Sequence, residues 1–320
     1  MRHVKNLSQL QKSIAIGSTL KLVQPSQELL LNCISTSIRA FAAGDAFGVH
    51  YEFKDFKDVS PELLGVEDWP FGGVSDDTLL SLLTLATLTE SSAAESAEVF
   101  LQNLRDAAPT LRGLGPTTRY ALGMSVKESE VNLIGKSNGG MMRTALCGLA
   151  FSISDSSHRR VFVDALARAT HSSDEAILAA QIAAALFSHA SDLSSRLSTS
   201  EIIAAELKAV LHSKESAEKF YARAQWSAPI DGISLDPVET LFAFTLVADR
   251  NIEVLATYMD ACSLGGDTDT VSALAGALVA ARNPQDSGFD KISWLDRIGW
   301  DEISEIGEII KLVYGKRISQ

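Results

Sequence analysis

Residues Leu79–Thr89 read LLSLLTLATLT and carry no charged side chain. The stretch is longer than a typical strand and consists of leucine, alanine, serine and threonine, which predicts a buried helix. Four further segments are similarly long and rich in alanine and leucine: Met141–Ile153, Asp174–Ala190, Thr240–Asp249 and Val271–Arg282. Because the alternation typical of half-buried strands is nearly absent, the sequence predicts an all-α fold.

Glycine and proline divide the helical segments. The breaks fall at Val59–Pro61, Arg112–Pro116, Ala228–Gly232 and Asn283–Gly288, and each carries turn-forming residues. No internal repeat is apparent, and we predict one compact domain over residues 28–320.

The first 27 residues differ from the rest of the chain. Arg2, Lys5, Lys12 and Lys21 occur there, and no acidic residue precedes Glu28. We therefore assign residues 1–27 as an N-terminal basic extension. It has two interpretations: a poorly ordered terminus or surface helix, or an arm that contacts an acidic partner.

Composition narrows the class of protein. The chain has 320 residues, 46% of them apolar and 21% charged, which is typical of a globular protein. The net charge of −12 argues against nucleic-acid binding, because an acidic surface repels phosphate backbones.

Cysteine usage and hydropathy bear on location. Cys33, Cys147 and Cys262 are odd in number and too widely spaced for a metal knuckle, so we expect reduced thiols. The longest uncharged apolar run, Ala273–Ala281, is too short to span a bilayer, and no secretory signal follows the N-terminus. We therefore expect a soluble, cytoplasmic protein that does not enter a membrane.

Two acidic segments have the same design. Gly265–Gly266 precedes Asp267-Thr268-Asp269-Thr270, and Gly72–Gly73 lies just before Ser75-Asp76-Asp77-Thr78; a predicted apolar helix follows each acidic segment. Serine, threonine and aspartate are common helix caps, so a pair of caps is one interpretation. The other is a site for a hard cation such as Mg²⁺, Mn²⁺ or Ca²⁺, for which four carboxylates would suffice to hold two ions.

Five segments of the chain form an ordered set: Gly44-Asp45-Ala46-Phe47-Gly48 with Glu52-Phe53, then Ser75-Asp76-Asp77-Thr78, then Ser137-Asn138-Gly139-Gly140-Met141-Met142-Arg143, then Ala169-Thr170-His171, and finally Gly265–Thr270 with Ala275-Gly276-Ala277-Leu278. In these segments the sequence resembles the ADP-ribosylglycohydrolase family. The resemblance implies an orthogonal helical bundle with a central cleft that holds a binuclear metal centre of two Mg²⁺ ions, with Mn²⁺ as the alternative.

The resemblance also implies residue roles. The positions that match metal ligands are Ser75, Asp76, Asp77, Asp267, Asp269 and Thr270. Glu52 matches the acidic residue beside the reacting carbon, where it would be the general acid/base or the group that orients water. The positions that match the contacts to ADP-ribose are Asn138, Gly139, Gly140 and His171.

Several local alternatives stay open. Asn138 with its glycines is either an ordinary helix cap or a cradle of backbone N–H groups for a diphosphate. His171 is either structural or a ligand-lining residue, and Arg143 is either a ligand contact or a structural ion-pair partner. Asp45 is expected to be structural, within a turn at Gly44–Gly48.

The leading functional hypothesis is a Mg²⁺-dependent hydrolase that removes ADP-ribose from modified protein side chains, with ADP-ribosylarginine as substrate. Serine-linked ADP-ribose and O-acetyl-ADP-ribose are alternative substrates. A different class of function is an immunity protein that blocks an ADP-ribosyltransferase toxin through the basic extension, with or without hydrolysis. A third is the family fold without catalysis.

Overall fold

A computed structural model of the chain describes residues 27–54, 58–192, 194–210, 220 and 232–320. Within these ranges the regular structure consists of α-helices and short 3₁₀ helices, and the β-type pairing is an isolated bridge between Ile233 and Gly266. The predicted all-α class is confirmed. The basic extension falls outside the described residues except for Gln27, which begins the first helix.

The described α-helices have the following bounds: α1 Gln27–Gly48, α2 Asp76–Glu90, α3 Ser96–Ala107, α4 Pro116–Ala121, α5 Gly139–Thr144, α6 Ser156–Arg168, α7 Asp174–Ala190, α8 Thr199–Val210, α9 Pro237–Arg250, α10 Val254–Ser263, α11 Thr268–Arg282 and α12 Ile306–Ile318. The 3₁₀ helices that connect them include Glu128–Leu133, Ala145–Ala150 and Trp300–Ile303.

Two helices form the centre of the molecule. Every residue of α11 from Thr268 to Ala281 is buried, and so is every residue of α7 from Ala176 to Ser188. Small alanine side chains dominate both helices, and a helix that is apolar on all sides must be covered on all sides. The remaining helices pack around this pair and give one continuous hydrophobic core.

The last turn of α1 lies directly against the first turn of α11. A Cβ on Gly48 would stand 2.5 Å from Asp269 Cα, so no larger residue fits there. The contact is fixed by polar bonds as well: Thr268 Oγ1 donates to Gly48 O at 2.9 Å, and Ser272 Oγ donates to Gly44 O at 2.6 Å. The end of α1 is thereby set beside the acidic start of α11.

Two local predictions require correction. Gly44–Gly48 is not a turn but the last part of α1. The helix predicted over Met141–Ile153 is instead α5 followed by the 3₁₀ helix Ala145–Ala150. The change of winding includes Gly148, which lies so close to α7 that a Cβ would stand 1.9 Å from Ala184 O. Glycine is a weak helix former, and here its backbone is used for packing.

The described residues contain no helix that is long and apolar enough to cross a membrane. Cys33, Cys147 and Cys262 are buried and unpaired, as the sequence suggested.

Candidate active site

The start of α2 is held by two caps. Ser75 is the N-cap, and its Oγ accepts a hydrogen bond from Asp77 N at 3.1 Å. The buried carboxylate of Asp45 accepts from Ser75 N at 3.0 Å and from Thr78 N and Oγ1 at 3.1 and 2.6 Å. Asp45 is therefore structural, as expected, but its partners lie on another helix.

The start of α11 is shaped by its glycines. Gly266 has φ +77°, and a Cβ there would stand 2.1 Å from Ile233 O. The glycine allows the chain to pass close to Ile233, whose carbonyl accepts from Asp267 N at 2.9 Å. The side chain of Asp267 accepts a hydrogen bond from the amide of Asn138.

The two acidic segments meet in the fold. Thr270 Oγ1, on α11, donates to Asp77 Oδ2, on α2, at 2.8 Å. One carboxylate oxygen from each of Glu52, Asp267 and Asp269 lies within 4.8 Å of the others. Glu52 thus stands inside the carboxylate cluster and not apart from it.

The position of Glu52 depends on the same glycine pair that shapes α11. Its neighbour Phe53 has φ +47°, which is uncommon for a residue other than glycine, and Phe53 N donates to Gly266 O at 2.8 Å. This bond holds the residue after Glu52 against the residue before Asp267. Glu52 itself is partly buried.

The electrostatics of the cluster favour a cation. Burial, with the charge of Asp269 next, raises the pKa of Glu52 to about 9 and that of Asp45 to about 7. Burial also raises the pKa values of Asp76, Asp77, Asp267 and Asp269, and neighbouring carboxylates add to the effect at the first three. The positive charge of Lys54 lowers the pKa of Glu52, but this effect is smaller than those of burial and the neighbouring carboxylates. Like charges buried together are unfavourable unless a positive charge compensates them.

The donor set fits a hard divalent cation. Carboxylate oxygens from Glu52, Asp267 and Asp269 converge, and further oxygens of the other acidic segment line the same cleft. Carboxylate and hydroxyl oxygens are the ligands that Mg²⁺, Mn²⁺ and Ca²⁺ prefer. The residues present are thus suited to the ions that the sequence led us to expect.

The Ser137–Gly140 loop is anchored by His171. Gly140 N donates to His171 Nε2 at 3.0 Å, and Ser137 Oγ lies 3.2 Å from the same nitrogen. Because Nε2 accepts, the ring proton belongs on Nδ1, which lies 2.9 Å from Thr170 Oγ1. Burial, and then the charge of Arg143, lower the pKa of His171 to about 3, so the ring is neutral.

This geometry changes the expected role of the glycines. The N–H of Gly140 is not free for a diphosphate, since His171 already accepts it. Gly139 and His171 both line the cleft. Arg143 makes no ion pair with a described residue: its guanidinium lies over the Phe100 ring at 4.1 Å and donates to Leu166 O at 2.7 Å, so it is structural without being an ion-pair partner.

An open cleft joins these parts. Its walls include every predicted site residue except Gly140, namely Glu52, Ser75, Asp76, Asp77, Asn138, Gly139, His171, Asp267, Asp269 and Thr270. Sequence reasoning missed Trp69, the Gly113–Arg119 segment and Glu130, which also line it. The glycines and proline at 113–116 had signalled a chain break, and nothing in their pattern pointed to a ligand.

Comparisons with known proteins agree with the fold. The sequence model of the family described as ADP-ribosylglycohydrolase matches residues 31–318. A solved structure described as an "ADP-ribosylglycohydrolase-related protein complex" is similar over 90% of this chain and 99% of its own, with a TM-score of 0.68 and 22% sequence identity. At 22% identity, the structural similarity shows that the two chains share a fold and nothing more. A search of curated proteins finds no match. Since the family model covers nearly the whole chain, the protein belongs to the ADP-ribosylglycohydrolase family.

Proposed function

We propose that the protein is a Mg²⁺-dependent hydrolase that removes ADP-ribose from modified protein side chains, with ADP-ribosylarginine as its substrate. Family membership supports the broader statement, a hydrolase that acts on ADP-ribose conjugates. The observation that carries the proposal is the convergence of the Glu52, Asp267 and Asp269 carboxylates, within 4.8 Å of one another, in the wall of an open cleft.

In this proposal the metal ligands are Ser75, Asp76, Asp77, Asp267, Asp269 and Thr270, which would hold two Mg²⁺ ions. When bound, the ions supply positive charge that holds ribose hydroxyls and positions a water molecule. Asn138 donates to Asp267 and fixes the orientation of that carboxylate, a supporting role typical of residues behind metal ligands.

Glu52 is the proposed general acid/base. Cleavage of a glycosidic bond at the anomeric carbon passes through an oxocarbenium-like state. A carboxyl group beside that carbon can protonate the departing nitrogen or oxygen and take a proton from the attacking water. Glu52 belongs to the carboxylate cluster, is partly buried and lines the cleft.

Part of the cleft suits the ADP portion. Asn138, Gly139 and His171 line it there, and the neutral His171 ring holds the loop in place through Gly140. Of the lining residues only Arg119 carries a positive charge, and it is paired with Glu130 at 2.6 Å. We therefore expect hydrogen bonds from backbone and side-chain groups to provide most of the recognition of the ADP portion.

The direct test is release of ADP-ribose from arginine-linked, serine-linked and acetyl-linked substrates, with Mg²⁺ or with EDTA. We expect hydrolysis that needs Mg²⁺ and is fastest on the arginine linkage. Glu52→Gln should lower kcat by about 10²–10⁴-fold, the usual contribution of a general acid/base. Asp269→Ala should abolish activity with or without Mg²⁺. The matched control for Glu52→Gln is Glu62→Gln, at an exposed position.

Equal rates for wild type and Asp269→Ala would contradict the metal mechanism. Hydrolysis confined to the serine linkage would contradict the arginine assignment and leave the hydrolase standing. Absence of hydrolysis on every linkage, with Mg²⁺ and ADP-ribose both failing to bind in calorimetry, would point to a family fold without catalysis.

A further inference from the structure

We propose that Trp69 determines the acceptor specificity of the cleft by stacking its indole on a cationic guanidinium, so that the modified side chain is read as arginine. This inference rests on the proposed function and deepens it. It concerns the leaving group, on the far side of the bond from ADP-ribose.

Trp69 and Asp76, a proposed metal ligand, border the part of the cleft beside Gly113, which we call the slot. A Cβ built on Gly113 would stand 3.0 Å from Asp76 Oδ1 and 3.6 Å from Trp69 Cη2. Gly113 has φ +80°, a conformation that side chains disfavour, and a side chain there would crowd both the carboxylate and the indole edge. All three residues line the cleft.

The indole is fixed from behind. The guanidinium carbon of Arg112 lies 5.1 Å from the centre of the Trp69 ring. Arg112 Nε donates to Val74 O at 2.9 Å, and its guanidinium pairs with Glu302. Arg112 does not line the cleft, whereas Trp69 does, so the arginine covers the side of the ring away from the ligand. The ring is thus presented to the cleft in a set orientation.

The indole N–H of Trp69 also differs in its surroundings from those of Trp294 and Trp300. Trp294 Nε1 donates to Pro61 O at 2.9 Å, and Trp300 Nε1 donates to Leu295 O at 2.7 Å. Among the described residues Trp69 Nε1 has no such acceptor. Trp294 and Trp300 are tied into the fold by their indole N–H groups, while Trp69 keeps that group available to a ligand.

The slot lies at the acceptor side of the reaction. Its border, Asp76, is a proposed ligand of the ions that hold the reacting ribose. The adenine of ADP-ribose is separated from that ribose by a diphosphate and a second ribose, so it extends away from Asp76. The group bonded to the anomeric carbon is therefore the part of the substrate that can reach the slot.

The chemistry of the slot favours a cation. An aromatic face attracts a guanidinium, worth about 0.5–2 kcal/mol, and a guanidinium stacks on aromatic rings more readily than an ammonium does. A guanidine that carries ADP-ribose keeps its positive charge, whereas a serine linkage has none.

The test measures kcat/KM on one peptide carrying arginine-linked and another carrying serine-linked ADP-ribose. Trp69→Ala should lower the value for the arginine linkage by about 3- to 30-fold, the range that a lost cation–π contact gives. The serine linkage should be nearly unchanged, and Trp69→Phe should retain most of the preference. Phe71→Ala is the matched control, because Phe71 lies under Arg297 at 4.5 Å on the same loop but does not line the cleft.

Binding separates this inference from the proposed function. Calorimetry with both peptides and Mg²⁺ on Glu52→Gln protein, which is slow to hydrolyse but retains the proposed metal ligands, should show the same loss for the arginine linkage when Trp69→Ala is added. An equal loss on both linkages would overturn the proposal, since Trp69 would then stack on adenine or merely shape the cleft. No loss on either linkage would overturn it too. Failure of wild type to hydrolyse any substrate, with the binding preference intact, would contradict the function and not the role of Trp69.

Discussion

Thr270 Oγ1 donates a hydrogen bond of 2.8 Å to Asp77 Oδ2, and the two residues are 193 positions apart in the sequence. The bond joins the first turn of α11 to the first turn of α2. It sets the spacing of the two acidic segments through the protein's own side chains, as a hydrogen bond behind a metal ligand commonly does.

Thr270→Val should therefore weaken Mg²⁺ binding. The substitution keeps the shape of the side chain but removes both the donor to Asp77 and a proposed ligand oxygen. We expect the Kd for Mg²⁺ to rise about 10- to 100-fold, measured by calorimetry. Thr270→Ser retains the hydroxyl and should bind nearly as wild type does. A valine variant with unaltered affinity would show that the bond has no part in the centre.

Stability of the metal-free protein should fall as the pH rises. Burial raises the pKa of Glu52 from 4.5 to about 9 and that of Asp45 from 3.8 to about 7. For an acid whose pKa is raised by folding, the native state binds more protons, so the stabilising contribution is complete below the unfolded pKa and is lost as pH rises through the folded one. In EDTA we expect the Tm to fall between pH 5 and pH 9.

Mg²⁺ should oppose that decline most strongly at high pH, where the carboxylates are ionised and ready to bind. Thermal melts at matched pH, with EDTA or with saturating Mg²⁺, measure the difference. A Tm in EDTA that does not change between pH 5 and pH 9 would contradict this prediction. It would mean that a charge on the protein itself, and not a bound metal ion, compensates the buried carboxylates.

Gly48→Ala should damage both the fold and the site. The new Cβ would stand 2.5 Å from Asp269 Cα, so α1 and α11 must separate, at a cost of about 1–3 kcal/mol. Gly315→Ala, in the open interior of α12, is the control and should stabilise the protein by about 0.5–1 kcal/mol. Urea unfolding gives both values, and Mg²⁺ affinity should fall for Gly48→Ala alone.

His171→Ala should impair binding of the ADP portion more than the chemical step. It leaves Gly140 N without its acceptor and releases the loop that carries Asn138. An unsatisfied buried N–H costs about 1–3 kcal/mol, so KM should rise by at least about fivefold while kcat changes less. His158→Ala, at an exposed position, should leave both constants unchanged. A fall in kcat alone would instead assign His171 to the chemical step.

The helices around the cleft could be predicted from the sequence because their composition is so uniform. Val271–Arg282 is buried on every side, and the alanine-rich pattern predicts such a helix without knowledge of its neighbours. The Asp174–Ala190 segment has the predicted bounds, since Ser173 caps its start through Ala176 N. Local signals decide elements of this kind.

The interplay between distant segments could not be predicted in the same way. Asp45 lies on α1 but caps α2, and the pairing is fixed only by how the two helices pack. Trp69 lies in an irregular segment, and its place in the cleft depends on Arg112 behind it and on the conformation of Gly113. Nothing in their spacing along the chain records these contacts. The roles of the individual site residues remain predictions that the tests above address.

The contact between Gly48 and Asp269 has a consequence for how the protein acquires activity. One partner lies near the beginning of the described chain and the other near its end, and the carboxylate cluster exists only when the two helices have docked. Closing so long a loop is slow, so docking belongs to the late stages of folding. A partly folded chain, or one cleaved between α1 and α11 and separated, would hold no complete centre. Activity therefore requires that the whole tertiary structure has formed.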